Sequence, residues 1–158
     1  GARSNIQDGT VIHCDGPDAR RPEGYPTLIG EDVLIGHMAM IHGTVLHDRA
    51  FVGLGAITMN GCVIEGDAML AAGAMLTPGK RIATGELWSG RPATKMRDLN
   101  DAAIAGMRLG VAHYVENGKR HQHAINAAHL PTADGNDGLR RPFGTTRPAA
   151  HRARHWPC

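Results

Sequence analysis

Three histidines in this chain are spaced so that they can share one ion. IGHMAMIHG sets His37 and His42 five residues apart, and VIH puts His13 directly behind an isoleucine, just as His42 follows Ile41. A neutral imidazole binds zinc at about 2.0–2.1 Å. Three of them with an open fourth position make the ligand set of a catalytic rather than a structural site. Whether the three converge depends on the elements that carry them.

Those elements read as a repeat. Written in sixes from Ile29, the chain runs IGEDVL, IGHMAM, IHGTVL. It then drops one residue and resumes from Leu46 as LHDRAF, VGLGAI, TMNGCV, IEGDAM, LAAGAM, LTPGKR and a last Ile82. An aliphatic residue at position one, with small or aliphatic residues near position five, is the hexapeptide pattern of a parallel β-helix. Three short strands close one triangular coil of about eighteen residues, which cannot bury its apolar side alone. Stacking sets aliphatic upon aliphatic at roughly 4.8 Å, the inter-strand spacing. So narrow a core accounts for 4% aromatic beside 42% hydrophobic residues. The density of glycine argues against an amphipathic helix here, and the six-residue period argues against a sandwich.

Column counting then places the histidines. Ile6 and Ile12 open NIQDGTVIH in the same register. Between Ile12 and Ile41 lies one coil plus a surplus that falls where the repeat breaks, in the Pro- and Gly-rich segment 14–27, an excursion loop. With the loop bulged out, Ile12 and Ile41 share a column, and His13 and His42 project from one corner a coil apart. His37 lies on the preceding face. It reaches the same ion only from a neighbouring copy, as a cyclic trimer about a threefold axis would allow. Counting back from Ile35 lands on Ile6, which puts Gln7 on the face of His37. His47, His121, His123, His151 and His155 read as solvated surface residues.

The expected organisation is a β-helix over 1–96, an α-helix within 97–130 and a tail over 131–158. Ile104, Met107, Val111, Tyr114 and Val115 follow helical spacing, with Asn100 as N-cap and Asp101 in the first turn. That stripe must lie on the side of the β-helix, because Gly106, Gly110 and Gly118 weaken the helix by roughly 1 kcal/mol each relative to Ala. Residues 131–158 hold five Arg against two Asp within a net charge of +2, collect four prolines and show no apolar period, a composition expected to stay disordered. No segment is apolar enough to span a bilayer. Cys14, Cys62 and Cys158 have no metal-like spacing and suggest a reducing compartment, the cytoplasm by default. No nucleic-acid or membrane partner is expected.

NIQDGTVIH, IGHMAMIHG, VGLGAI, AAGAMLTPGK and LWSGRPATKMR together resemble the γ-class carbonic anhydrases and their hexapeptide-repeat relatives, over about residues 1–125. The resemblance implies a left-handed parallel β-helix with a C-terminal α-helix alongside, assembled as a homotrimer with Zn2+ (Fe2+ or Co2+ in some members) between subunits. His13, His37 and His42 match the family's metal ligands. Gln7 and Asn5 match its catalytic amides, Gln7 aiming the attacking oxygen and Asn5 steadying the substrate oxygen or Gln7. Asp8 matches a neighbouring acid, and Tyr114 a tyrosine of the helix. The implied reaction is reversible hydration of CO2 to bicarbonate, a lyase activity, with Asp15, Asp18 and Glu23 as possible proton shuttles. The family's upstream Arg-x-Asp segment has no counterpart in 1–158. Gly1-Ala2-Arg3-Ser4 also reads as the middle of a hexapeptide, so the expectation is a chain shortened at its N-terminus.

Two other classes remain open. SGRPA (89–93) resembles the G-x-P-A turn after the β-helix of CoA-dependent acyltransferases, which use one His as base. A trimeric scaffold with a vestigial metal site is the other. Metal content separates the first from the other readings, and CO2 hydration separates the second.

Overall fold

A computed structural model describes residues 1–128; the expectations for 131–158 lie outside them. Twelve two- or three-residue strands wind into a parallel β-solenoid. They are β1 (Asn5–Ile6), β2 (Val11–His13), β3 (Leu28–Ile29), β4 (Leu34–Ile35), β5 (Met40–His42), β6 (Val45–Leu46), β7 (Phe51–Val52), β8 (Ile57–Thr58), β9 (Val63–Ile64), β10 (Met69–Leu70), β11 (Met75–Leu76) and β12 (Arg81–Ile82). Every third strand pairs, giving three faces: β1-β4-β7-β10, β2-β5-β8-β11 and β3-β6-β9-β12.

The hexapeptide columns become the core. Ile35, Val52 and Leu70 stack on the first face, Ile41, Thr58 and Leu76 on the second, and Leu46, Ile64 and Ile82 on the third, all sealed from solvent. Ala39, Ala50, Ala56, Ala68 and Ala74 fill most of the corners, with Val33 and Cys62 at equivalent places, all buried. Thr58 takes an aliphatic place in its column, and its hydroxyl oxygen accepts from Thr44 at 2.8 Å, which satisfies a buried polar group. At the open end, β1, β2 and β3 are edge strands, and Ile6, Val11, Ile12 and Leu28 are exposed.

At the other end the sequence reading missed an element. Leu87 and Trp88 continue the first column, paired with Met69 and Leu70, within β13 (Glu86–Gly90). The chain then turns through Gly90–Ala93 and returns antiparallel as β14 (Ala93–Asp98). This hairpin covers the edge that β10 would otherwise present. SGRPA is its turn.

Asn100 caps α1 (Asp101–Ala128): its side-chain oxygen accepts from the Ala103 N–H at 2.9 Å. Val111 is buried, while Ile104, Met107, Tyr114 and Val115 are half-buried, as the spacing required. Residues 1–117 form one compact unit, and α1 continues from Gly118 into a second. Within the first unit Arg108 donates to both oxygens of Asp67 at 3.0–3.1 Å.

One corner of the solenoid carries charge. Arg3, Asp32, Arg49 and Asp67, each two residues before a registered strand position, all take positive φ between 55° and 65°. Their signs alternate from coil to coil. Arg3 binds Asp32 in bidentate fashion at 2.7 and 2.8 Å, and Arg49 Nε lies 3.2 Å from both Asp67 oxygens. The Arg3 hydrogen bond, helped by the charge of Arg49, holds the Asp32 carboxyl below its ordinary range. Burial pushes the Asp67 carboxyl up, but Arg108 and Arg49 outweigh it and leave it lowered.

Candidate metal centre

His13 and His42 end β2 and β5, and the parallel register pairs them directly. Their rings are 4.8 Å apart, one rung of the ladder, and tilted by 31°. His13 Nδ1 and His42 Nε2 approach to 3.0 Å. Two ligands on one tetrahedral zinc stand roughly 3.4 Å apart, so a small opening of the pair admits an ion.

The surroundings of His42 fix which nitrogen it offers. Asp15 carboxylate accepts from Asn60 Nδ2, so the amide oxygen of Asn60 is the atom turned to His42. That oxygen lies 2.6 Å from His42 Nδ1, which must therefore be the protonated nitrogen. His42 Nε2 keeps its lone pair and faces His13. A ligating histidine whose other nitrogen is held by an oxygen is the usual arrangement at metal sites, and on this observation the residues fit a divalent ion.

Asp15 stands beside the pair, its Oδ1 3.8 Å from His42 Nε2, and the ligand atoms of His13, Asp15 and His42 all lie within 4.8 Å of one another. The excursion loop holds it there. Asp15 and Tyr25 exchange two backbone hydrogen bonds, and Arg21 lies 4.0 Å over the Tyr25 ring. Thr27 Oγ1 donates to His13 O at 2.6 Å.

The other site residues named from sequence lie on the first face. His37 follows β4, and its N–H donates to Gln7 Oε1 at 3.2 Å; its ring Nδ1 is 3.6 Å from Asp8. The chain does not group it with His13 and His42. Gln7, His37 and Tyr114 instead line one cleft of about 480 Å³ between α1 and the first face, floored by Leu34, Phe51 and Met69. Asn5 Oδ1 is buried without a hydrogen-bond partner among the described residues. Asn60 escaped the sequence reading altogether. The signal was the dropped residue: His42, Gly43 and Thr44 span a corner that Met59, Asn60, Gly61 and Cys62 span one coil on, so the longer corner reaches over the shorter.

No family model matches the chain. It is 40% identical over 121 residues to "Gamma carbonic anhydrase 2, mitochondrial" of Arabidopsis thaliana, an alignment covering 77% of this chain and 43% of that protein. The chain belongs to the γ-carbonic-anhydrase-like family of hexapeptide-repeat proteins. It spans less than half the length of that plant relative. Among solved structures, a hexapeptide transferase family protein of Anaplasma phagocytophilum is 39% identical with a TM-score of 0.67, covering 75% of this chain and 65% of its own. A putative acetyltransferase of Bacillus cereus is 30% identical with a TM-score of 0.69, covering 77% and 66%.

Proposed function

We propose that this protein catalyses the reversible hydration of CO2 to bicarbonate with a divalent metal, zinc first, held between copies of a homotrimer. The observation that carries the reading is the His13–His42 pair on one rung, with the His42 lone pair fixed toward its neighbour. The third ligand is His37 of the partner subunit. His37 lies on a separate face of its own chain, and beside it Met38 and Leu54 are 71% and 52% exposed, an apolar margin suited to a second copy. When bound, the ion supplies hydroxide at neutral pH by lowering the pKa of water toward roughly 7. Gln7 anchors its oxygen on the His37 N–H and keeps its amide hydrogens to aim the attacking oxygen. Asn5 stands behind it in β1. Asp15, beside the His13–His42 pair, is the carboxylate that receives the released proton in this reading.

The cleft beside His37 is lined mostly by apolar side chains, which suits an uncharged substrate. Among the described residues no helix is long and apolar enough to cross a membrane. Cys14 and Cys62 are free thiols, in keeping with a reducing compartment such as the cytoplasm.

The test is elemental analysis of anaerobically purified protein followed by a CO2 hydration assay. About one metal per chain and a rate abolished by His42→Ala is the expected result. Protein without metal that binds acetyl-CoA would favour the acyltransferase reading, which the two structural neighbours and the SGRPA turn support. Metal without hydration would leave a scaffold.

A further inference from the structure

We infer that Asn60 is a positioning residue for the metal: its amide carries the hold of the excursion loop onto His42 and fixes the nitrogen that His42 presents. The inference rests on the reading of His13 and His42 as ligands.

Three independent features converge on Asn60. The first is its pair of hydrogen bonds, which leave each half of the amide one role. The oxygen accepts from His42 Nδ1 at 2.6 Å, and the nitrogen donates to Asp15. Because the carboxylate can only accept, the amide cannot turn over without placing its oxygen against Asp15 and its N–H against the protonated His42 nitrogen. The orientation is locked from both sides.

The second is the corner that makes room for it. Gly43 follows His42 with φ 53°, and a Cβ there would collide with Asn60 Oδ1 and, at 2.7 Å, with Tyr25 Cβ. The shortened corner and its glycine let Asn60 reach down one coil to the ring. The third is that Asp15 is itself pinned, through the backbone bridge to Tyr25 that closes the loop. A chain of contacts thus runs Tyr25, Asp15, Asn60, His42. In this arrangement Asp15 serves the site through Asn60 as well as by its own proximity.

The amide can be tested by swapping its ends. Asn60→Leu keeps the shape and removes the acceptor. Asn60→Asp keeps an acceptor for His42 but sets one carboxylate against another, and adding Asp15→Asn restores a donor opposite it. Zinc affinity by chelator competition, and the visible spectrum of the Co2+-loaded protein, are measured on the full chain for these variants and for His42→Ala. Loss of a group holding a metal ligand costs 10–100-fold in affinity. A loss of about that size is expected for Asn60→Leu, with a shifted Co2+ spectrum and unchanged circular dichroism. The Asp15→Asn/Asn60→Asp pair should bind more tightly than Asn60→Asp or Asp15→Asn alone. Native affinity in Asn60→Leu beside lost affinity in His42→Ala overturns the role of Asn60 and leaves the metal site standing. Native affinity in His42→Ala overturns both. Should Asn60→Leu fail to fold, the swapped pair decides: affinity above that of both single variants supports the inference, and affinity no better than theirs overturns it.

Discussion

Gln7 shows how one amide serves two masters at short range. Its oxygen is engaged by the His37 backbone, so removing the side chain frees a backbone N–H at the surface, where water replaces it, and leaves the histidine columns untouched. Gln7→Ala should therefore keep metal and assembly while CO2 hydration falls roughly tenfold, the loss of about 1.4 kcal/mol in the transition state. An unchanged rate in a fully metallated protein removes Gln7 from the reaction. Gly43 is less forgiving. Its φ of 53° and the atoms waiting at its Cβ position predict that Gly43→Ala lowers stability by about 1–3 kcal/mol in a thermal melt. The same variant should bind zinc more weakly, because Asn60 must move. The stacking of His13 on His42 was legible from sequence because it obeys the repeat: Ile12 and Ile41 are column residues, and whatever follows them stacks. Asn60 and the standing of Asp15 were not. They depend on how an irregular loop closes and on a corner one residue short, neither of which a period encodes.

Among the elements, the solenoid declared itself fully and the hairpin did not. β13 continues a column through Leu87 and Trp88, but β14 reads ATKMRD, where Lys95, Met96 and Arg97 are exposed and no alternation marks a strand. Its pairing is dictated by the free edge it covers. The helix was legible through its cap and stripe, whereas the clamp of Arg108 on Asp67 was not, since 41 residues separate them. Arg108→Ala should lower stability only modestly, because the lost partner is exposed and Arg49 still pairs the buried Asp67 carboxylate. Faster amide exchange confined to Ile104–Val115 is the expected signature. Glu65 ties β9 to the turn after β12. The Thr84 N–H and hydroxyl, then Arg81, hold its carboxyl down to about 2 from an ordinary 4.5. A depressed carboxylate stabilises fully above its unfolded value and ceases to as pH falls through the folded one. The melting-temperature gap between the native protein and Glu65→Gln should be constant above about pH 5.5 and close between pH 4.5 and 2. A gap that persists at pH 2 would rule out the carboxylate as its source.

For the whole molecule, the proposed ligands lie on two faces, which in the proposed assembly ties metal to oligomer. His37→Ala should lower zinc occupancy and shift the proposed trimer toward monomer together, read by native mass spectrometry on one sample. A monomer holding a full equivalent of zinc through His13, His37 and His42 would overturn that geometry. Repetition also exposes such a chain to an error of its own, since every coil resembles its neighbours and can settle on the wrong one. The charged corner guards against it. Arg3, Asp32, Arg49 and Asp67 meet opposite signs when each coil lies on the next in sequence. A coil that skips one place sets Arg3 over Arg49, or Asp32 over Asp67, and like charges at that distance repel. The corner thus works as a parity check on stacking order, correct for neighbours one apart and failing for neighbours two apart.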